Sequence, residues 1–258
     1  FVNGYFRFTS RGEREGARHV NKSEVEKVIR QMEQKNYIPN FVSQSSGNVS
    51  RYISISKRMI GNWARIPYFS AKRIYTKENY NYHYWASQIS AQNNFHIIPA
   101  LRLGSKNWKD EAKKTNKIII YHPLQMYPEA TIEYWCKCLK DIEYETKLVK
   151  VIRSMTARFH FLIKEHPNVI GVRVPKLYNT LRALSNVTIV PTNISSNVVS
   201  DESDAVLIWT GSAGFEAALR GKPVLTVCEP YYMFGDKFKK IDEHTAHDAI
   251  SNHINTNS

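Results

Sequence analysis

Cysteine is scarce in this chain, with three in 258 residues: Cys136, Cys138 and Cys228. Three cannot build the multi-bridge framework of a small secreted domain, and Cys136-Lys137-Cys138 lacks the partner ligands of a zinc site. The expectation is reduced cysteines with no structural part, in a cytosolic protein. No apolar run approaches the length of a membrane-spanning helix. There is no G-x-G-x-x-G, no Walker sequence and no cluster of metal ligands, so dinucleotide redox enzymes, P-loop hydrolases and metallohydrolases fit poorly. The opening Phe1-Val2-Asn3-Gly4 has neither an initiator methionine nor a signal-peptide pattern. A fragment or trimmed form is therefore expected.

Acidic residues are few where bases are dense. Residues 1–115 hold 20 Lys and Arg against 8 Asp and Glu, whereas the remainder is nearly balanced, 16 against 15. Almost all of the net charge of +13 sits in that first part. Such asymmetry suggests an anionic partner there: acidic lipid headgroups, an acidic polymer or nucleic acid. A solvated basic surface without a dedicated partner is the alternative.

Within that part, Ser23-Glu24-Val25-Glu26 is a capping box with Ser23 as N-cap, and Val25, Val28, Ile29 and Met32 follow at helical spacing. Gln44–Gly47 is a polar loop. From Val49 to Trp85 bases interleave with aromatics, and Tyr52, Ile55, Met59 and Ile60 predict a helix. Interleaving of this kind can stack single-stranded nucleic acid or lie in a membrane interface. The reading favoured here is aromatic core with a basic face, because no nucleic-acid motif accompanies it. Leu103–Asn116 is polar and lysine-rich, and the boundary is placed there, giving a basic aromatic-rich region 1–115 and a second domain 116–258.

After the boundary the pattern turns regular. Strands are predicted at Lys117–Tyr121, Arg158–Lys164, Val187–Val190, Ala205–Trp209 and Pro223–Val227. Helices are predicted between them at Ile142–Ala157, Lys176–Leu184, Ile194–Glu202 and Phe215–Arg220. Alternation of this kind means an α/β, Rossmann-like, doubly wound parallel sheet. In such sheets ligands bind beyond the carboxyl ends of the strands. Those ends carry His122-Pro123, Glu165-His166-Pro167, Thr192-Asn193, Thr210-Gly211-Ser212 and Cys228-Glu229. The strand, glycine turn and helix over Ala205–Arg220 can hold a phosphate on the N–H groups around Ser212, Ala213 and Gly214. A histidine fixed by a following proline can bond a phosphate or a base edge, and Glu216 can accept from ribose hydroxyls. Each residue also has a structural reading. The histidines can be satisfied strand-end residues, Ser212 an N-cap, Glu216 a partner of the helix dipole, and the glycines aids to close packing.

Three segments carry a family resemblance: Ile119–Thr131 (IIYHPLQMYPEAT), Ile163–Pro167 (IKEHP) and Thr210–Val224 (TGSAGFEAALRGKPV). Together they resemble bacterial capsule and surface-polysaccharide biosynthesis proteins, glycosyltransferase-like proteins that include the capsular Kdo transferases. CDP-glycerol glycerophosphotransferases are more distant relatives. The resemblance covers about the last 140 residues. It implies the C-terminal lobe of a B-type glycosyltransferase that binds a nucleotide sugar, CMP-linked by preference, and acts without a metal or other cofactor. By that likeness His166 and Pro167 contact the nucleotide, Ser212 and Gly214 the phosphates, and Glu216 the ribose. His122, Lys164, Thr210 and Gly211 complete the nucleotide and phosphate set. Glu129 faces the cleft as the catalytic candidate, with Glu13 or Glu15 as alternative bases. Residues 1–115 are too short and irregular for a complete second Rossmann lobe. The implied partners are the donor and an acidic or lipid-linked glycan acceptor, with possible contact to the inner face of a membrane. A polyol-phosphate transferase or sugar-nucleotide epimerase on the same fold, and a non-catalytic polyanion-binding module, are the alternatives.

Overall fold

The computed structural model describes residues 22–33, 48–77, 82–127, 132, 136, 143–166 and 169–257. By compactness the chain separates into Phe1–Tyr37 and Ile38–Ser258. In the first unit the described part is helix α1 (Lys22–Glu33). It takes in Ser23, so the expected N-cap belongs to the first turn.

The second unit opens with a helical hairpin, α2 (Asn48–Thr76) and α3 (Tyr82–Leu101). Helix α3 was not foreseen, because its apolar residues lie around most of its circumference rather than along one stripe. The α2 residues turned inward are Ile55, Met59, Asn62, Ile66, Phe69 and Arg73, at alternating spacings of four and three. That is the period of a helix–helix seam. Asn62 donates to Asn94 Oδ1 at 3.0 Å and to Ser90 O at 3.0 Å, while Asn94 donates to Met59 O at 3.1 Å. These buried amides satisfy one another across the seam and fix its register. Phe69 stacks on His83, and the Arg73 guanidinium lies 4.8 Å above the Tyr84 ring. The base of the hairpin buries Ile97 and Ala100 against Ile170, with Ile55 and Met59 alongside.

The expected aromatic core does not form in this stretch. Trp63, Tyr68, Tyr75, Tyr82 and Trp85 are all exposed, Tyr75 to 88%. The most deeply buried positions in the middle of the seam are the small and amide side chains Asn62, Ser87, Ala91 and Asn94, with Ile55, Met59, Ile66 and Phe69 half-buried beside them, and these five large rings lie outside it. Residues 103–116, where the domain boundary is expected, contain helix α4 (Trp108–Lys113) with Trp108 buried.

From there the α/β pattern holds. Six strands are described: β1 (Ile118–Pro123), β2 (Phe159–Lys164), β3 (Val187–Val190), β4 (Ala205–Ile208), β5 (Val224–Thr226) and β6 (Phe238–Lys240). All pair in parallel, in the order β3-β2-β1-β4-β5-β6, the order of the dinucleotide-binding folds. Strand β6 and helix α9 (His247–Asn257) were not foreseen; the strand is three residues of mixed polarity.

The sheet is covered on both faces, as parallel sheets must be. Helices α5 (Tyr144–Ser154) and α6 (Pro175–Arg182), with α9, cover Ile120, Phe159, Phe161, Ile163, Leu207 and Leu225. On the other face α4, α7 (Ser196–Asp201) and α8 (Ala213–Leu219) cover Tyr121, Leu162, Val190, Val206, Ile208 and Val224. Successive strand residues alternate between the faces, so both layers read as one apolar run in the sequence. No helix among the described residues is long and apolar enough to cross a membrane.

One expectation is overturned outright. Cys136 and Cys228 are joined as a disulfide across 92 residues of sequence, their Cα atoms 5.3 Å apart. Both are buried in the core against Ile132. Sequence spacing could not reveal this, since the sheet alone brings the end of β5 to the segment after β1.

Candidate active site

The strand order reverses between β1 and β4, so the connections that leave their carboxyl ends run to opposite faces of the sheet, and this switch point is where open parallel sheets form their ligand crevice. Four chain segments converge there: residues after β1, after β2, after β4 and after β5.

Its floor is aromatic and buried. His122, at the end of β1, is fully buried between Tyr144 and Trp209, with ring centroids 6.1 and 5.7 Å away. Its Nδ1 lies 2.8 Å from Leu207 O and its Nε2 lies 2.9 Å from the Tyr144 hydroxyl. A carbonyl can only accept, so Nδ1 carries the proton and Nε2 accepts from Tyr144. The Tyr144 oxygen in turn accepts from the Gln125 N–H at 3.0 Å. Burial holds the imidazole down to about 4, against a smaller upward pull from the Leu207 carbonyl and a further lowering by Arg173. His122 is therefore a neutral pin that ties β1 to β4 and to the loop after β1. The expectation that it bonds a ligand is corrected: both ring nitrogens are spent inside the fold.

The wall on the β2 side is a buried ionic cluster. Arg173 Nε donates to Glu165 Oε2 at 2.7 Å, Nη1 to Glu145 at 2.6 Å, and Nη2 to the Gln125 carbonyl. Glu165 also accepts from its neighbour's N–H, at His166, and from the Tyr178 hydroxyl. Burial opposes the charge on Arg173, but Glu165 and its other partners outweigh that and raise its pKa. A buried pair of this kind stands only with further hydrogen bonds around it, and here each guanidinium nitrogen has an acceptor. The cluster locks the backbone at Glu165-His166. His166 is partly buried, and burial lowers its pKa, with Glu165 pulling upward and Lys164 and Arg173 downward. Lys164, the last residue of β2, is 5% exposed.

The β4 side is the glycine turn. Thr210 Oγ1 donates to Gln125 Oε1 at 3.1 Å, which clasps the two sides of the switch point together. A side chain on Gly211 would place Cβ 2.3 Å from Gln125 Nε2, and one on Gly214 would place it 2.7 Å from Ile208 Cδ1. Both glycines are needed for close approach. Tyr232 donates to the Gly211 carbonyl from the segment after β5. Ser212 occupies the N-cap position of α8, yet its hydroxyl does not cap; it donates to Glu216 Oε1 at 3.3 Å. Burial raises the Glu216 pKa, offset by that bond and by Arg220.

Lys164, His166, Thr210, Gly211, Ser212, Gly214 and Glu216 thus lie on two sides of the crevice, joined by the Gln125 clasp. Glu129 and Pro167 lie outside the described residues. Gln125, Tyr144, Arg173 and Tyr232 were missed by sequence reasoning. Gln125 could have been found, since it follows His122-Pro123 at a carboxyl end. Arg173 gives no sign in sequence beyond preceding Pro175, the proline that opens α6.

A family model described as "Capsule polysaccharide biosynthesis protein" matches residues 16–235. The chain belongs to this family. No curated protein matches this capsule-family chain. Among solved structures similar to it are two from Thermosulfurimonas dismutans. One is described as KpsC, beta Kdo 2,7 transferase, with 22% identity and a TM-score of 0.40 over 58% of this chain and 50% of that one. The other is described as KpsC, beta Kdo 2,4 transferase, with 12% identity and a TM-score of 0.36 over 58% and 53%. A third is WaaG, described as a glycosyltransferase involved in lipopolysaccharide biosynthesis, with 15% identity and a TM-score of 0.30 over 59% and 42%. The capsule-family chain spans about half the length of the first two.

Proposed function

We propose that this chain is the nucleotide-sugar-binding lobe of a B-type glycosyltransferase that builds a capsular or other surface polysaccharide, with a CMP-linked sugar as the favoured donor. The observation that carries the reading is the switch-point crevice of a capsule-family chain, where a glycine turn, a histidine and a buried lysine meet on either side of one clasp.

The donor's nucleotide lies against His166 and Pro167, with Glu216 accepting from the ribose. Its phosphate lies over Gly211, Ser212 and Gly214. In transfer the bond between the anomeric carbon and the phosphate oxygen breaks, and the phosphate leaves with the electron pair. The acceptor hydroxyl forms the new bond and gives up its proton to a base. Lys164, a neutral His166 N–H and the peptide N–H groups of the turn supply the charge stabilisation that the leaving phosphate needs. We assign this task to them in place of a metal. Glu129 is the proposed base, with Glu13 or Glu15 as alternatives, and the acceptor is a glycan or its lipid-linked precursor.

Calorimetric titration with CMP, CDP, UDP and GDP tests the donor site. Wild type is expected to prefer the cytidine nucleotides, and His166→Ala to lose that preference with the fold intact. Uniform weak binding of all four, steeply dependent on salt, would instead identify a polyanion-binding module. Glu129→Gln is expected to bind the nucleotide normally and to lose turnover, and chelation of divalent metal to leave wild-type turnover unchanged.

A further inference from the structure

The α2–α3 hairpin presents an apolar surface that is exposed among the described residues of its own unit. On α2, Ile53, Ile60, Pro67 and Ile74 recur at intervals of seven, and all are exposed, Ile60 to 69% and Ile74 to 78%. They form a second stripe, turned away from the inward seam. Trp63 stands beside it and meets Phe95 of α3 edge-on at 6.0 Å, both rings open to solvent. Tyr82, Trp85 and Ile89 are exposed along the first half of α3. Patches of this extent on a folded surface mark a contact site.

The charge beside the stripe names the partner. Helix α2 carries six Lys and Arg and no Asp or Glu, and α3 carries neither sign. Lys57, Arg65 and Lys72 are exposed, successively about two turns apart, with Tyr68 and Tyr75 between them and the isoleucines. A second copy laid on this surface would set an all-basic helix against another, which is unfavourable. An apolar protein partner explains the isoleucines but leaves the rank of bases without a counterpart. Isoleucine inserted below, tryptophan and tyrosine at the polar boundary and bases outermost is the arrangement of a helix lying in an anionic bilayer surface.

We propose that the α2–α3 hairpin docks this chain on the surface of an anionic phospholipid bilayer, with the Ile53–Ile60–Ile74 stripe immersed and Lys57, Arg65 and Lys72 at the headgroups. The hairpin's base is tied to the crevice wall. Arg58 donates to Ile170 O, and Ile97 packs against Gly171, where a side chain would meet it at 2.1 Å. Gly171 is in the left-handed region (φ +81°) and lies two residues before Arg173. A lipid-docked hairpin therefore holds the crevice beside the bilayer, where a lipid-linked acceptor would be presented. The docking does not depend on the enzymatic reading and is tested apart from it.

The test is flotation of the full chain with vesicles of phosphatidylcholine alone and of equimolar phosphatidylcholine and phosphatidylglycerol. Wild type is expected to float only with the anionic vesicles. Lys57→Gln/Arg65→Gln/Lys72→Gln should lower the partition coefficient roughly 100-fold, and the effect should fade in high salt. Ile53→Ser/Ile60→Ser/Ile74→Ser should abolish flotation while nucleotide binding and the circular dichroism spectrum are unchanged, because all six side chains are exposed. Brominated-chain lipid should quench wild-type tryptophan fluorescence, and Trp63→Phe/Trp85→Phe should lose most of that quenching. Failure to float, equal flotation with neutral vesicles, or normal flotation of either triple variant overturns the proposal. Dimerisation through the stripe by a protein that ignores vesicles would assign the surface to a second copy instead.

Discussion

His122 takes up no proton until well below its ordinary range, because charging it would bury an unpaired cation between Tyr144 and Trp209. The unfolded chain has no such constraint and binds that proton near pH 6.5. Between that value and about 4 the unfolded state binds the extra proton. The stability due to neutral His122 is thus complete above pH 6.5 and is lost as the pH falls toward 4. The full span corresponds to about 3 kcal/mol. Urea unfolding of wild type and His122→Asn across pH 7 to 4.5 isolates it, since the carboxylates titrate alike in both. The variant should be weaker at pH 7 and show a shallower pH slope. Parallel slopes would mean that His122 is protonated in the folded protein.

The clasp of Thr210 on Gln125 joins two elements, the β4–α8 turn and the loop after β1, and Gly211 is what lets them meet. Gly211→Ala would drive Cβ into the Gln125 amide. That amide is the far end of a flexible side chain and can swing aside, so the stability cost should be small, about 1 kcal/mol. The clasp would open, and nucleotide affinity should fall at least about tenfold, or about 1.4 kcal/mol. Gly61→Ala in α2 is the control. Nothing lies within 4 Å of its added Cβ. It should stabilise the helix by roughly 0.5–1 kcal/mol and leave binding unchanged. Calorimetry and thermal melts on the two variants decide it, and equal binding by both would remove the clasp from the site.

At this scale the sequence was readable in part, for a physical reason. Strands β1 to β5 and the helices between them were legible because each is a short apolar or amphipathic run bounded by turn residues. Gly211 and Gly214 were legible as a turn and Glu165-His166 as a strand end. The Gln125 clasp and the Arg173 cluster were not. Each joins residues tens of positions apart whose meeting depends on strand order, and a lone glutamine or arginine carries no periodic mark. Between Val49 and Trp85 the local signal misled, since interleaved aromatics and bases read alike whether the rings face a core or lie exposed on the surface.

At the scale of the whole molecule, the Cys136–Cys228 bond is the covalent link that crosses the fold. It fastens the segment leading from β1 into α5, the stretch that includes Glu129 in sequence, to the carboxyl end of β5. Closing a loop that long removes much of the unfolded chain's freedom, and the bond should contribute about 2–4 kcal/mol. In a reducing compartment that contribution is given up, and the two buried thiols pack as small apolar side chains. Thiol titration in denaturant provides the check. One thiol per chain, that of Cys138, should react before reduction and three after, and the reduced protein should unfold at lower urea. Three reactive thiols without reductant would show the bond to be absent, and among the described residues of that segment Ile132 would still be packed in the core.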